Sequence, residues 1–223
     1  MVSRNHNLNI YEVIISDVGH NKEVYIYETI RGKKWDVNDI YILLDERKIN
    51  SVGILYSDEW LWNIYTSFYN GFPPVSVSSY DEVYLHASGY DTIEFPDPLT
   101  TELIRYSYLK NIPVVPLDMV ENEYTNLYCN VISTYNLMSY EKQIKKYIKN
   151  KDKSDVENIK MLNETVQKID GYKKLDVERA KYIANKIVTM KIDLYPMMVI
   201  SDIEITPMLL KELDHKGGKI YTL

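Results

Sequence analysis

Cysteine occurs once in this 223-residue chain, at Cys129, which excludes an intrachain disulfide and a multi-cysteine zinc site. A reducing interior compartment is the matching expectation. Glycine is sparse at 8 residues, and none of GxGxxG, GxxxxGK[ST] or GxSxG occurs. The dinucleotide fingerprint, the phosphate loop and the hydrolase nucleophile elbow are therefore absent as motifs. The four histidines, His6, His20, His86 and His215, include no pair at a metal-ligand spacing such as HxxxH. Only His86 draws notice, because it follows an expected strand. Nowhere do 18 apolar residues run together, so no membrane-spanning helix is expected, and MVSRNHNLNIYEV at the N-terminus lacks the apolar core of a signal peptide. We read the chain as cytoplasmic and soluble. Positive charge is not in excess either: the formal net charge is −6 and the isoelectric point about 5.3, which argues against general affinity for a nucleic-acid backbone.

What is present is an ordinary globular composition, 45% hydrophobic and 26% charged, in a chain long enough to bury a substantial core. Tyrosine is abundant, 21 residues against 3 phenylalanines, a bias compatible with a thermophilic source. The expected architecture is a single α/β domain over 1–223, with a mostly parallel central sheet, flanking helices, an N-terminal β-hairpin and a helical insertion over 121–174. Two β-branched runs, Asn9 to Ile15 and Glu23 to Ile30, flank the turn chemistry of Asp17-Val18-Gly19-His20-Asn21 and predict the hairpin. Asp36 caps a helix in which Val37, Ile40, Tyr41 and Leu44 recur at helical spacing. Ser51 to Tyr56 is nearly all apolar, as strands buried on both faces are.

An aromatic helix from Trp60 to Tyr69 follows, stopped by Gly71 and Pro73-Pro74. Core packing is the plain reading of its tryptophans. Glu82 to His86 reads as a short strand, and Asp97-Pro98 begins a helix through Leu109. Ile112 to Leu117 is a strand whose two prolines suit an edge. From Glu121 to about Lys174 strand signals vanish. Ser154-Asp155-Val156-Glu157 reads as a capping box and Gly171 as a helix end. The lysines at 142, 145, 146, 149, 151 and 153 read as a solvated face, and Cys129 as a small core residue. Last come a helix from Asp176 to Met190, a buried strand through Ser201, a helix with Thr206 and Pro207 in the N-cap and N1 positions, and a strand from Lys219 to Leu223.

In a parallel sheet the carboxyl ends of the strands are where ligands gather. Here they bring Ser57, Asp58 and Glu59, then Asp118, then Ser201, Asp202 and Glu204 toward one edge. Carboxylates converging there could hold Mg²⁺ or Mn²⁺, which prefer oxygen ligands. The same acids also suit helix N-termini, where the macrodipole favours them without any chemistry.

The order of these segments resembles the TraB/PrgY pheromone-shutdown family, part of a wider group with the ChaN-like and erythromycin-esterase-like proteins. In that family a strand ends in Gly-Thr-x-His, a second in Val-x-Val-Glu, a third in Asp-Arg, a helix carries Glu-Arg-x-x-x-Met-Ala, and a last strand ends in Gly-x-Gly-His. This chain has Glu28-Thr29-Ile30-Arg31, Val52-Gly53-Ile54-Leu55, Leu117-Asp118-Met119, Glu178-Arg179-Ala180-Lys181-Tyr182-Ile183-Ala184 and Ser201-Asp202-Ile203-Glu204 at the matching places. The resemblance implies that the family's histidines fall on Arg31 and Glu204 and its strand-end glutamate on Leu55. An arginine repels a cation and a leucine has no lone pair to give. Asp118, Glu178 and Arg179 persist.

Three readings follow. The first is a non-catalytic α/β protein that binds a partner or small ligand at the strand carboxyl ends through Asp58, Asp118, Arg179, Asp202 and Glu204. It needs no cofactor, and it leaves a homo-oligomer open. The second is a divalent-metal-dependent hydrolase with a site rebuilt from Asp58, Asp118, Asp202 and Glu204. The third is a Rossmann-like nucleotide-sensing module whose lysine-rich helices regulate an effector or bind nucleic acid. The two lost ligand positions favour the first over the second, and the missing phosphate loop weakens the third.

Overall fold

The structure, a computed structural model, describes residues 9–17, 19–30, 37–71, 83, 84, 87, 97–148 and 155–223. The expectations for Asp36 as a cap, for the break at Val75 to Ser79, for His6 and His86, for Arg31, for Ser154 and for lysines 149, 151 and 153 lie outside these residues.

Strands β1 (Ile10–Asp17) and β2 (His20–Thr29) form the expected hairpin. Asp17 pairs with His20, and Gly19 supplies the positive φ of 79° that the tight turn needs. Helix α1 (Val37–Glu46), strand β3 (Ser51–Ile54), helix α2 (Asp58–Asn70), helix α3 (Pro98–Lys110) and strand β4 (Val114–Pro116) come next. The helical stretch contributes α4 (Glu121–Val131), α5 (Thr134–Ile148), α6 (Asp155–Val166) and α7 (Asp170–Thr189). Strand β5 (Met197–Asp202), helix α8 (Thr206–His215) and strand β6 (Gly218–Thr222) complete the described elements.

The six strands make one mixed, mostly parallel sheet in the order β4-β3-β5-β2-β1-β6. The β4/β3, β3/β5 and β5/β2 pairings are parallel, and β2/β1 and β1/β6 antiparallel. Proline-bearing β4 does lie at an edge, since Pro116 has no N–H for a further neighbour. Both faces are covered, which explains the continuous apolar runs of β3 and β5. On one face Met198 and Ile200 pack with Ile40, Leu44, Ile64, Leu103, Ile144, Ile159 and Leu162. On the other, Val24, Ile26, Met197 and Val199 pack with Ile183, Ile187, Leu209 and Leu213. Residues of α5 and α6 therefore belong to the main core rather than to an appendage.

Several local expectations are corrected. Helix α7 starts at Asp170 rather than Asp176, so Gly171 lies in its first turn instead of ending a helix. The glycine is needed for close approach: an added Cβ would lie 2.8 Å from the Val131 carbonyl oxygen. Thr206 is one residue inside α8, not its cap; its hydroxyl donates to the Asp202 carbonyl (2.9 Å), and Ile205 holds the cap position. Val83 and Tyr84, expected in a strand, are helical. Cys129 is exposed, because α4 lies on the surface and buries none of its residues. In α2, Leu61 and Ile64 are buried while Trp60 and Trp62 are 38% and 68% exposed, so the core reading holds for the aliphatic residues and fails for the two tryptophans.

Candidate functional site at the carboxyl ends of the strands

The topology places a crevice beside β5. Chain leaving β2 and β3 enters helices that cover one face, whereas chain leaving β5 enters α8 on the other, so the loops on either side of β5 part in opposite directions. The predicted residues do cluster at this end by element, but they are not equivalent.

Asp58 opens α2 behind Ser57, whose hydroxyl accepts from the Trp60 N–H (3.3 Å). Its carboxylate is exposed and lies 3.7 Å from the Lys186 ammonium. Asp118, by contrast, is buried just past β4, with its N–H bonded to the Tyr56 carbonyl (3.2 Å). The Arg179 Nε donates to Asp118 Oδ1 and Oδ2 at 3.0 and 2.9 Å, and the Arg179 Nη2 to Oδ2 at 2.5 Å. This two-pronged geometry is the strong form of a carboxylate–guanidinium contact. Asp202, half-buried at the end of β5, adds its field to Arg179. Glu204 lies in the turn that follows, and its carbonyl accepts from Asn163 Nδ2 (3.1 Å), tying the turn to α6.

Burial is the largest influence on Arg179 and works against its charge, yet Asp118, then Tyr124 and Asp202, more than offset it and hold the guanidinium above the ordinary arginine range. One turn earlier, burial pushes the Asp176 carboxyl up; Arg179 and a hydrogen bond from Gln167 Nε2 (2.5 Å) oppose the shift. Burial also raises Tyr182, followed by Glu123, Asp58, Asp118 and Glu59, so the ring is surrounded by acids from α2, α4 and the end of β4. Arg179, Tyr182 and Lys186 recur at i, i+3 and i+7, hence on one stripe of α7. That stripe meets Asp118 and Asp58 with two cations of the chain's own.

The arrangement separates the carboxylates rather than gathering them. Among the described residues, no group of three or more His, Cys, Asp or Glu side chains comes together in a way that could hold a metal ion. Asp118 spends both oxygens on Arg179, and Asp58 stands apart beside Lys186. The hollow of about 180 Å³ lined by His20, Asn21, Glu23, Ile192, Tyr195 and Pro196 lies at the opposite end of the sheet, where β2 and β5 begin.

Sequence reasoning passed over Glu28 as a chemical group. It is buried at the end of β2, where the Asn9 N–H and Nδ2 donate to its Oε2 at 3.2 and 3.1 Å. A signal was available, because alternation along β2 puts Glu28 on the same face as buried Val24 and Ile26. Burial raises its pKa, with Asn9 and Lys160 opposing. For a carboxyl raised in the folded state, the charged form is the destabilising one. Stability from this group is therefore lost as pH climbs through the folded pKa and recovered as pH falls toward the ordinary value of 4.5. Glu28→Gln should raise stability at pH 7 by about 1 kcal/mol, or about 2 to 4 °C in Tm, and flatten its decline above pH 5. Urea melts of both proteins at pH 5 and pH 7 check this; a variant less stable at pH 7 would show that the charge itself is needed.

No helix among the described residues is long and apolar enough to cross a membrane. No family model matches the chain, and neither a curated protein nor a solved structure matches it significantly.

Proposed function

We propose that this chain is a non-catalytic binding protein, which recognises a protein partner through the helical cap above the carboxyl ends of its strands. The observation that carries the reading is the pairing of Asp118 with Arg179. It commits the buried Asp118 carboxylate, and the cation that faces it, to each other, leaving neither free to bind a metal or abstract a proton. What remains for recognition is the surface built on top of that pair. Helix α4, which packs on α7, has no buried residue, and the first turns of α5 expose Tyr135 (76%), Leu137 (43%) and Met138 (67%). Aromatic residues and methionine exposed together are enriched at protein interfaces and are seldom left to water in a monomer. The resemblance to TraB-like proteins fits a scaffold retained after its ligand positions changed.

The double substitution Tyr135→Ser with Met138→Ser tests this. Both side chains are exposed, so Tm should stay within about 2 °C, a change of about 0.5 kcal/mol or less. A protein retained from the source cell extract by the immobilised chain should be released by the double variant, but not by Ile192→Ser at the opposite end of the sheet. Equal retention by all three would sink the reading.

A further inference from the structure

The two edges of the sheet differ in what they offer a neighbouring strand. On β4 the bonds from the Val52 N–H to the Pro113 carbonyl (3.0 Å) and from the Leu117 N–H to the Ile54 carbonyl (2.9 Å) turn the odd-numbered residues inward. Val114 and Pro116 face outward, and Pro116 has no N–H to donate. On β6 the Leu223 N–H donates to the Ile10 carbonyl (2.9 Å). Antiparallel pairs alternate, so Tyr221 and Lys219 also turn their backbone groups toward Glu12 and Ile14 of β1. Ile220 and Thr222 then present theirs to the outside, whereas Gly218, with the same backbone sense, is buried at the start of the strand. Among the described residues, no strand pairs with that side of β6. Edge strands are usually guarded by proline, a bulge or charge, lysine above all, and Lys219 is the one such guard on β6. β6 has no proline and pairs with β1 in unbroken register, while Tyr221 and Leu223 are 47% and 45% exposed.

We propose that β6 pairs antiparallel with β6 of a second copy of this chain, about a two-fold axis through Ile220, so that two sheets become one. The outward ladder is symmetric about that residue. Ile220 meets Ile220 of the second copy, where each N–H finds the other's carbonyl, and Thr222 falls opposite Gly218, whose buried backbone must be uncovered for the outer rungs to form. The side chains agree with this register. Lys219 falls opposite Tyr221 of the second copy, whose other neighbour is Glu12 of that copy, so an ammonium meets an aromatic face with a carboxylate beyond it. No like charges stand directly opposite. Pro116 of β4 has no N–H to offer an edge partner, and the two-fold pairing uses up β6 of both copies, so the assembly closes at two copies instead of growing into a filament. This surface is independent of the helical cap, and a dimer built through it leaves both caps free.

Sedimentation velocity on the full chain from about 1 to about 200 μM should show a concentration-dependent dimer, the range in which weak specific contacts populate. Thr222→Pro deletes an outward N–H without touching a bond to β1, and Lys219→Glu removes the ammonium that faces the Tyr221 ring of the second copy and puts a carboxylate there instead. Each should raise the dissociation constant about tenfold or more, with unchanged circular dichroism and unchanged Tm at monomeric concentration. If Thr222→Pro fails to fold, Lys219→Glu decides alone. A chain that stays monomeric through the range, or a dimer whose constant the folded variants leave untouched, overturns the proposal.

Discussion

Arg179→Ala is expected to cost about 3 to 5 kcal/mol, because it leaves the buried Asp118 carboxylate without its counter-charge. For a chain of this length that corresponds to a fall in Tm of about 6 to 20 °C. The loss should exceed what the contact itself contributes. The wild-type pair sets Coulomb attraction and three hydrogen bonds against the desolvation of two ions, and the sum is modest; removing one partner leaves desolvation unopposed. The double variant Arg179→Met with Asp118→Leu should therefore recover most of the stability. Arg179→Lys should fall between, since an ammonium keeps the charge but cannot bond both oxygens as the planar fork does. Urea unfolding of wild type and the three variants checks this order. A cost below about 1 kcal/mol for Arg179→Ala would mean that water reaches Asp118 and that the crevice is open, reviving a ligand at that point.

Gly171 carries the second large effect. An ideal Cβ there would lie 2.8 Å from the Val131 carbonyl oxygen, 2.5 Å from Asn136 Oδ1 and 2.7 Å from Asn136 Cγ. Neither neighbour yields easily. The first is backbone, and the second is held in a reciprocal cap in which Asn136 Oδ1 accepts from the Ser133 N–H (2.9 Å) and hydroxyl (2.8 Å), while Ser133 Oγ accepts from the Asn136 N–H (3.2 Å). Gly171→Ala should cost about 1 to 2 kcal/mol, overpacking being partly offset by the better helix propensity of alanine. Gly171→Val should cost about 3 kcal/mol and push the α4–α5 turn off α7. Protease cleavage near residue 133, followed alongside Tm, would report that displacement. A Gly171→Val protein as stable as wild type, with the turn still protected, would show that the close approach is absent in solution.

Much of the scaffold was legible in the chain because it rests on local rules. Turn residues between two β-branched runs specified the β1–β2 hairpin, Asp97 before Pro98 specified the start of α3, and two prolines consigned β4 to an edge. The Asp97 side chain does accept the Thr100 N–H (3.1 Å), as a cap should. Local rules failed where a neighbour distant in sequence decided the matter. Gly171 reads as a helix end because glycine usually ends helices, yet here it admits the backbone of α4. Cys129 follows an apolar pattern and reads as core, yet α4 has nothing above it to be buried against. Glu28 looked like an incidental strand residue, but Asn9, just before β1 and opposite it in the ladder, bonds its carboxylate.

For the site, the sequence by itself determined which residues stand at the carboxyl ends of strands, since strand ends and helix starts are set by local pattern and caps. Asp58, Asp118, Asp202 and Glu204 were found that way. Only the tertiary structure decided what they face. Sixty-one positions separate Asp118 from Arg179, and 128 separate Asp58 from Lys186, so no periodicity could pair them. The chain's own helix α7 brings its cations to those acids. Hydrogen bonding and desolvation, which depend on distance in space and not on spacing along the chain, then make Asp118 a partner for Arg179.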